Sequence, residues 1–455
     1  MRGRRAARRF AAVFALALLL RLTPVPFHRF RPERVVTLDS PLYLELGTNL
    51  RERGSFRRTQ QDGESAVENP GPVEVFRTPG YPLFLAVFGG SRESGVAEAI
   101  CTQIVLDALA AALVAALAAT VMPAPWAFVA GALAALDPGH IVYANMIMSD
   151  TVFAALLIAG VWLLGRPSPR HALAGRIAAG VAFSAAAAVR PVGVLASLAG
   201  ALFLAVRREE RRRFAAFLVT ALAFPVAWTV RNGVGAGVWS VSDAGGYNLC
   251  VVAGAKVEAA AEGISRGDAE RRLIERVVRE SPGADSAARS AAFRRVGWEV
   301  IRAHPGLACR EAVVSAAEFA LAGERRNLLR LFGREGGTEA SPALGESTRD
   351  PRAVVRMVRA LGGLESLVVA GQVAWNLLLW LAACVGAFEL ARRRRWAELV
   401  LFVSVIAYET AASLIVAHGR MRLPVVGVLA VLAALGIFRV AGRRRAAAAQ
   451  ADVGA

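Results

Sequence analysis

Apolar residues fall along this chain in long uncharged runs, at residues 10–28, 98–119, 125–144, 149–165, 174–189, 191–206, 214–231, 366–390, 396–417 and 423–441. Most runs suit one helical crossing of a hydrocarbon core about 30 Å thick. Between them lie short arginine clusters: MRGRRAARR (1–9), Arg166 to Arg176, RREERRR (207–213), RRRR (392–395) and RRR (443–445). With the N-terminus inside and the runs alternating, every cluster lands on the cytoplasmic side, as the positive-inside rule requires. Merging 174–189 with 191–206 would put the later clusters outside. Arg190-Pro191 is therefore expected to be the outer turn of a tight hairpin.

The polar segments 29–97 and 232–365 then both face outward. In the first, TLDSPLYLELGTNL (37–50) has Ser40 as a favoured N-cap and Pro41 as a favoured first helical residue. Leu42, Tyr43, Leu46 and Leu50 recur there at helical spacing. PGYPLFLAVFGG (79–90) is apolar but too short to span. In the second, charged stretches at 268–280 and 288–303 predict helices, with Gly/Pro/Ser breaks at 281–287 and 334–350. The expectation is an all-α polytopic membrane protein with about ten transmembrane helices. Its first extracytoplasmic loop, 29–97, carries interfacial helices, and 232–365 forms a small, mostly helical extracytoplasmic subdomain. Residues 1–231 make an N-terminal transmembrane module, 366–441 the last transmembrane helices, and 442–455 a cytoplasmic tail that reads as disordered from residue 446. The basic start and the run 10–20 have the size of a signal peptide. Arg21 interrupts the run and no small-x-small cleavage site follows, so a retained anchor is expected.

Composition changes the picture in one respect. The chain has 455 residues, 55% of them hydrophobic, a formal net charge of +18 and a mean hydropathy of +0.45. In a soluble protein that charge would raise nucleic acid as a partner. Here it is confined to inter-span clusters, and Lys256 is the only lysine, a bias of composition that excludes the nucleic-acid reading. The four cysteines, Cys101, Cys250, Cys309 and Cys384, have no metal-knuckle or redox spacing. Cys250 and Cys309 share the outer segment, as a disulfide or as inert thiols.

Candidate chemistry gathers at one face. Asp39 and Tyr43 follow the first run; Arg77, His140, Asp150, Arg190, Arg231 with Asn232, and His418, Arg420 and Arg422 all fall at outward ends. Acids and arginines converging there suit an anionic, membrane-borne ligand. Each has a plain structural alternative. Asp39 sits beside a helix cap, Asp150 is a first-turn acid favoured by the helix dipole, and the arginines are also interfacial anchors. Inside the runs, Gln103 and Asp107 share a helix face, and Arg21 and Glu409 are possible partners for them.

The segments RTPGYPLFLAVFG, SDTVFAALL, AAAAVRPVGVL, WTVRNGVGAGVWSVSDAGGYNL and HGRMRLPVVGVLAVLAALGI follow an outer Asp with a Tyr four residues on. This order resembles the bacterial membrane glycosyltransferases of the glycosyltransferase C superfamily, over Arg21 to about Phe438. The nearest kin are the dolichyl-phosphate-mannose–protein mannosyltransferase-like and aminoarabinose-transferase-like enzymes. The resemblance implies transfer of a sugar from a polyprenyl phosphate to a lipid, glycan or protein acceptor of the cell envelope. The reaction would run at the outer face of the bacterial cytoplasmic membrane. It implies Asp39 as the catalytic residue and Arg77 as a donor-phosphate contact. Tyr43, Tyr81, Asp150, Arg190, Arg231, Arg420 and Arg422 complete the expected substrate site. The chain has Asp39-Ser40 where the mannosyltransferases have Asp-Glu, and Leu42 where the aminoarabinose transferases have Arg, which leaves sugar and acceptor open. No carboxylate cluster suits a divalent ion, and neither metal nor cofactor is expected. A lipid-linked-sugar flippase or a surface-polysaccharide ligase or polymerase are the alternative readings.

Overall fold

The computed structural model describes residues 2–37, 39–59, 67–90, 92–166, 171–334, 363–414 and 419–453. Among them it is helical throughout, with no strand. Seven helices are long and apolar enough to cross a membrane: Ala7–His28, Ser94–Ala118, Ala172–Val189, Arg211–Ala236, Glu365–Arg392, Trp396–Ser413 and Gly419–Gly442. Three shorter apolar helices, Ala124–Leu136, Asp150–Gly165 and Pro191–Val206, fill the remaining apolar runs. The architecture is that of a polytopic helical membrane protein, and every run in the sequence carries a helix.

The hairpin expected at Arg190-Pro191 is present. The Ala172–Val189 helix ends at Arg190, which is extended at φ −141° and ψ 130°, and the 3-10 turn Pro191–Gly193 leads into the next helix. Proline disfavours helical geometry in the residue before it, so the turn falls there. Helices pack closely where small residues face each other. A Cβ on Gly386 would lie 1.9 Å from the Leu432 carbonyl oxygen, and one on Gly436 would lie 2.1 Å from that of Ala382. That close approach of backbones is how membrane helices gain contact without a hydrophobic driving force.

The basic turns meet at one end of the bundle. Arg395 Nη2 donates to the Thr120 carbonyl at 3.3 Å, Arg393 Nη1 to that of Val121 at 3.5 Å, and Arg176 pairs with Glu209 at 2.8 Å. Glu389, itself buried, takes Arg392, Arg393 and Arg439. The opposite end, outward in the expected topology, carries the Ser40–Arg53 and Gly80–Val87 helices and a helical unit termed the outer unit. That unit contains Ala255–Glu262, Arg266–Glu280, Ser286–Ala303, Pro305–Leu321 and Arg325–Leu331. Its core of Tyr247, Cys250, Val257, Leu273, Phe293 and Val296 also takes in Phe76. The first outer loop and the second thus share one core.

Two expectations need correction. Ser40 is not the N-cap of the Ser40–Arg53 helix. Asp39 holds that position and makes no capping bond, while the Ser40 hydroxyl donates to the Ile147 carbonyl at 2.7 Å. The tail expected to be disordered from residue 446 continues the last helix to Val453, because its alanines are the strongest helix formers. Cys250 is buried, Cys309 exposed, and both are free thiols. The expected break at 334–350 lies almost wholly outside the described residues.

Mid-bundle, Arg21 and Asp107, which sequence alone left unpaired, form one buried network with His140. Arg21 Nε donates to Asp107 Oδ2 at 2.6 Å, His140 Nδ1 lies 2.6 Å from Asp107 Oδ1, and Arg21 Nη1 reaches the Ala135 carbonyl at 2.5 Å. Arg21 and Asp107 are each 1% exposed. Breaking such a pair by removing one partner costs about 3–5 kcal/mol. Asp107→Leu is therefore expected to melt well below the parent in detergent. The double variant Arg21→Met with Asp107→Leu should recover much of the loss. A double variant no better than the single one would show that the two charges do not act as a pair.

Candidate functional site

The segment ahead of the Ser40–Arg53 helix is docked on the residues ahead of the Asp150–Gly165 helix. Ile147 N donates to the Val35 carbonyl at 2.9 Å, beside the Ser40 bond to Ile147. This brings Asp39 and Asp150 to one cavity of about 980 Å³. Arg77 arrives from the first outer loop, Arg190 from the hairpin turn, and Arg420 from the 3-10 turn Gly419–Arg422.

Arg77 is positioned by a buried acid that the sequence did not mark. Glu74 Oε1 accepts the backbone N–H groups of Phe76 at 2.8 Å and Arg77 at 2.7 Å, and its Oε2 accepts from Arg58 Nε at 2.6 Å. The Glu74 carbonyl accepts from Arg231 Nη1 at 2.5 Å. Past Arg77, Thr78 Oγ1 donates to the Val189 carbonyl at 3.2 Å. Gly80 then lies against the hairpin, where a Cβ would come 2.5 Å from the Ala188 carbonyl carbon. Only glycine permits that approach, and it sets Arg77 beside Arg190.

The charges interlock. Arg77 Nη2 donates to Asp39 Oδ1 at 3.0 Å, and Arg420 Nη2 lies 2.8 Å from Asp39 Oδ2. Arg190 pairs with Asp150 and donates to the Met421 sulfur at 3.0 Å. Burial works to raise the Asp39 pKa. The charges of Arg77 and Arg420, a hydrogen bond from Arg420 and the charge of Arg190 outweigh it and hold the carboxyl well below the usual range. Asp150 Oδ2 and the Nε–H groups of Arg77 and Arg420 are buried without a partner among the described residues. The remaining lining divides. Tyr43, Glu45, Glu68, Ser149, Tyr247 and Glu409 add polar groups, while Pro191, Val192, Val194, Leu195, Ala412 and Met421 make an apolar side.

Of the residues singled out from sequence, Asp39, Tyr43, Arg77, Asp150, Arg190 and Arg420 line this cavity. Tyr43 also takes the Arg77 guanidinium over its ring at 5.4 Å. Tyr81, Arg231 and Arg422 are outside the lining. Tyr81 donates to Gln103 Oε1 at 2.7 Å and packs edge-on against Tyr43. Arg231 serves Glu74 and lies over the Trp228 ring at 4.5 Å. Arg422 donates to the Phe319, Ala320 and Ala322 carbonyls at 3.1–3.2 Å, closing the end of the Pro305–Leu321 helix. His140 belongs to the mid-bundle network, and His418 lies outside the described residues. Glu74 went unread in the sequence, and Glu409 was read only as a candidate partner for Gln103 or Asp107. For Glu74 no signal was available, since its role depends on loop geometry; Glu409 was visible as an intramembrane acid, but its cavity was not. Among the described residues, no group of three or more His, Cys, Asp or Glu is placed to hold a metal ion.

No protein-family model matches the chain, and no curated protein matches its sequence. Solved structures do. The apo oligosaccharyltransferase of Archaeoglobus fulgidus superposes at a TM-score of 0.52 with 14% identity, over 98% of this chain and 52% of that one. AglB from the same organism, in complex with an inhibitory peptide and a dolichol-phosphate, gives 0.51 and 13% over the same shares. ArnT from Cupriavidus metallidurans bound to undecaprenyl phosphate gives 0.40 and 16%, over 95% of this chain and 78% of that one, a likeness too loose to argue from. The chain spans about half the length of the oligosaccharyltransferases it matches. These neighbours are membrane glycosyltransferases of the glycosyltransferase C superfamily, the one that the sequence motifs resemble. At such identities the likeness establishes the fold.

The outer unit closes over Arg77 through Asp243, whose N–H donates to the Val75 carbonyl at 2.9 Å. Burial pushes the Asp243 carboxyl up from 3.8 to about 6, against a Ser290 hydrogen bond and the charge of Arg294. A folded pKa above the unfolded one favours the fold most in acid. The contribution is full below about pH 3.8 and is lost as pH rises through about 6. Asp243→Asn is expected to melt close to the parent at pH 4 and above it at pH 8. The same difference at both pH values would assign the effect to shape and not to charge.

Proposed function

We propose that the chain is an inverting membrane glycosyltransferase that moves a sugar from a polyprenyl-phosphate donor to a cell-envelope acceptor at the extracytoplasmic face of the bacterial cytoplasmic membrane. The observation that carries this reading is Asp39 set between Arg77 and Arg420, in a cavity with one charged and one apolar side. A polyprenyl-phosphate sugar has those two characters. Its phosphate suits guanidinium forks, and its tail suits Pro191, Val192 and Leu195. From Leu195, 41% exposed, an apolar face runs along the same helix through Leu198 and Leu202, 57% and 43% exposed. The dolichol-phosphate held by AglB, a protein of the same fold, supports a lipid phosphate as ligand.

In this reaction the acceptor hydroxyl attacks the anomeric carbon from the side opposite the phosphate. The new carbon–oxygen bond forms as the bond to the phosphate oxygen breaks, and that electron pair stays on the phosphate. Asp39 takes the acceptor's proton. Arg77, Arg420 and Arg190 stabilise the charge that grows on the leaving phosphate, in surroundings where such stabilisation is strong. Backside displacement inverts the configuration.

The test is membranes containing the protein, given a polyprenyl-phosphate sugar and scored for free polyprenyl phosphate and transferred sugar. Asp39→Asn keeps size but cannot take a proton, so turnover should fall by at least about 10²-fold, the low end for a positioned base. Arg77→Ala should weaken donor use strongly, and Arg77→Lys should restore only part, because lysine lacks the planar fork. Near-normal turnover in Asp39→Asn would remove Asp39 as the base.

Orientation has its own test. In a cysteine-free background, Glu262→Cys in the outer unit should react with an impermeant thiol reagent applied to intact cells. Arg212→Cys, in the basic first turn of the Arg211–Ala236 helix, should be protected until the membrane is opened. The reverse pattern would turn the site to the cytoplasm.

A further inference from the structure

Asp39 gives each carboxylate oxygen to a different arginine. Oδ1 lies 3.0 Å from Arg77 Nη2, and Oδ2 lies 2.8 Å from Arg420 Nη2. A guanidinium binds an oxyanion best through two parallel hydrogen bonds. Its Nε–H and one Nη2 hydrogen lie along one edge of the plane and form such a fork. On both arginines Asp39 occupies only the Nη2 point. The Nε point of each is buried and without a partner among the described residues. Two half-used forks thus belong to arginines that line the same cavity, and both Nη2 groups are held by one carboxylate.

We infer that Asp39 is a placeholder in a phosphate site: a phosphate that takes the full forks of Arg77 and Arg420 displaces Asp39, so that anion binding and release of the carboxylate are one exchange. This inference rests on the phosphate-ligand reading proposed above and adds an order to it. While both arginines hold Asp39, it is a weak proton acceptor, because its charge is already neutralised. When they turn to phosphate, the carboxylate loses that stabilisation and gains proton affinity. The acceptor hydroxyl therefore meets a competent base only after the donor is in place. Donor binds first, acceptor second, and a molecule without donor does not present a free base to water or to acceptor.

The exchange also predicts how removing the carboxylate changes binding. In most sites a variant that loses a charge lining the cavity binds its ligand less well. Here the loss should help, since the phosphate no longer has to break two ion pairs. The groups are 21–22% exposed, and ion pairs of that kind are individually modest.

The experiment is calorimetric titration of the purified full chain in detergent with farnesyl phosphate and, separately, with inorganic phosphate. Asp39→Asn and the smaller Asp39→Ser are compared with the parent; the second keeps the test alive should the first fail to assemble. Both variants should bind farnesyl phosphate about threefold to thirtyfold tighter than the parent, the range expected for two modest ion pairs. Arg77→Ala should bind it more weakly. An equal gain with inorganic phosphate assigns the exchange to the phosphate group alone. A gain confined to farnesyl phosphate assigns it to a lipid phosphate whose tail is also held. Unchanged or weaker farnesyl phosphate binding in both variants overturns the exchange. The sugar-transfer assay separates the two ideas. Tighter binding with no transfer by the parent would sink the enzyme reading and keep the exchange, whereas transfer without tighter binding would do the opposite.

Discussion

A charge carried into a membrane protein must bring its counter-charge with it, and most of this molecule's polar architecture follows from that constraint. Arg21, Asp107 and His140 meet in mid-bundle from three segments far apart in sequence. Glu389 collects three arginines at the basic end. At the other end Asp39 pairs with Arg77 and Arg420, and Asp150 with Arg190, across five chain segments, two carboxylates against three guanidinium groups. The mid-bundle network closes on itself and on backbone carbonyls. The outer cluster does not close. Among the described residues it leaves the Arg77 and Arg420 Nε–H groups and Asp150 Oδ2 buried without partners, in side chains that line a large cavity.

The outer unit matters because it decides where Arg77 sits. Phe76 packs edge-on against Tyr247 at 5.5 Å, inside the unit's own core. Ser242 Oγ donates to the Phe76 carbonyl at 2.6 Å. Glu74 fixes the backbone of Arg77, and Arg231 fixes Glu74. Arg77 is thus clamped on one side by the outer unit and on the other by the hairpin that carries Arg190. Any acceptor held by the outer unit would be coupled mechanically to the charged wall of the cavity.

Much of this was legible in the sequence, for identifiable reasons. Arginine clusters and apolar runs alternate along the chain, so the ends of the helices, and the gathering of the basic turns at one end of the bundle, could be read. Asp39, Asp150, Arg190 and Arg420 stand at helix ends that the expected topology puts on one side, and the structure brings all four to one cavity. Arg422 and Arg231 occupy equivalent positions in sequence, yet they bind carbonyl oxygens. A guanidinium that satisfies backbone and one that faces a ligand look identical in a string of letters. Ser40 shows the same limit. Its pattern is that of a cap, but docking on Ile147 turned its hydroxyl away from its own helix. Glu74 was invisible because its function lies in accepting N–H groups two and three residues on in an irregular loop, for which no periodicity exists.

The arrangement of fixed and movable charge gives the proposed transfer a further coherence. A guanidinium does not titrate in a protein, so the positive side of the cavity is constant through a reaction. What moves is the negative charge. Before transfer one unit rests on the Asp39 carboxylate. As Asp39 takes the acceptor's proton it becomes neutral, and the phosphate, losing its bond to the sugar, gains one unit. The cavity's total charge is therefore unchanged by the chemical step; a unit of negative charge has only passed from Asp39 to the leaving group. In a site partly withdrawn from water, where separating or creating charge is expensive, a base and a leaving group that share the same two arginines avoid that cost. The ion pairs Asp39–Arg77 and Asp39–Arg420 are in this view one half of an electrostatic balance whose other half is the phosphate.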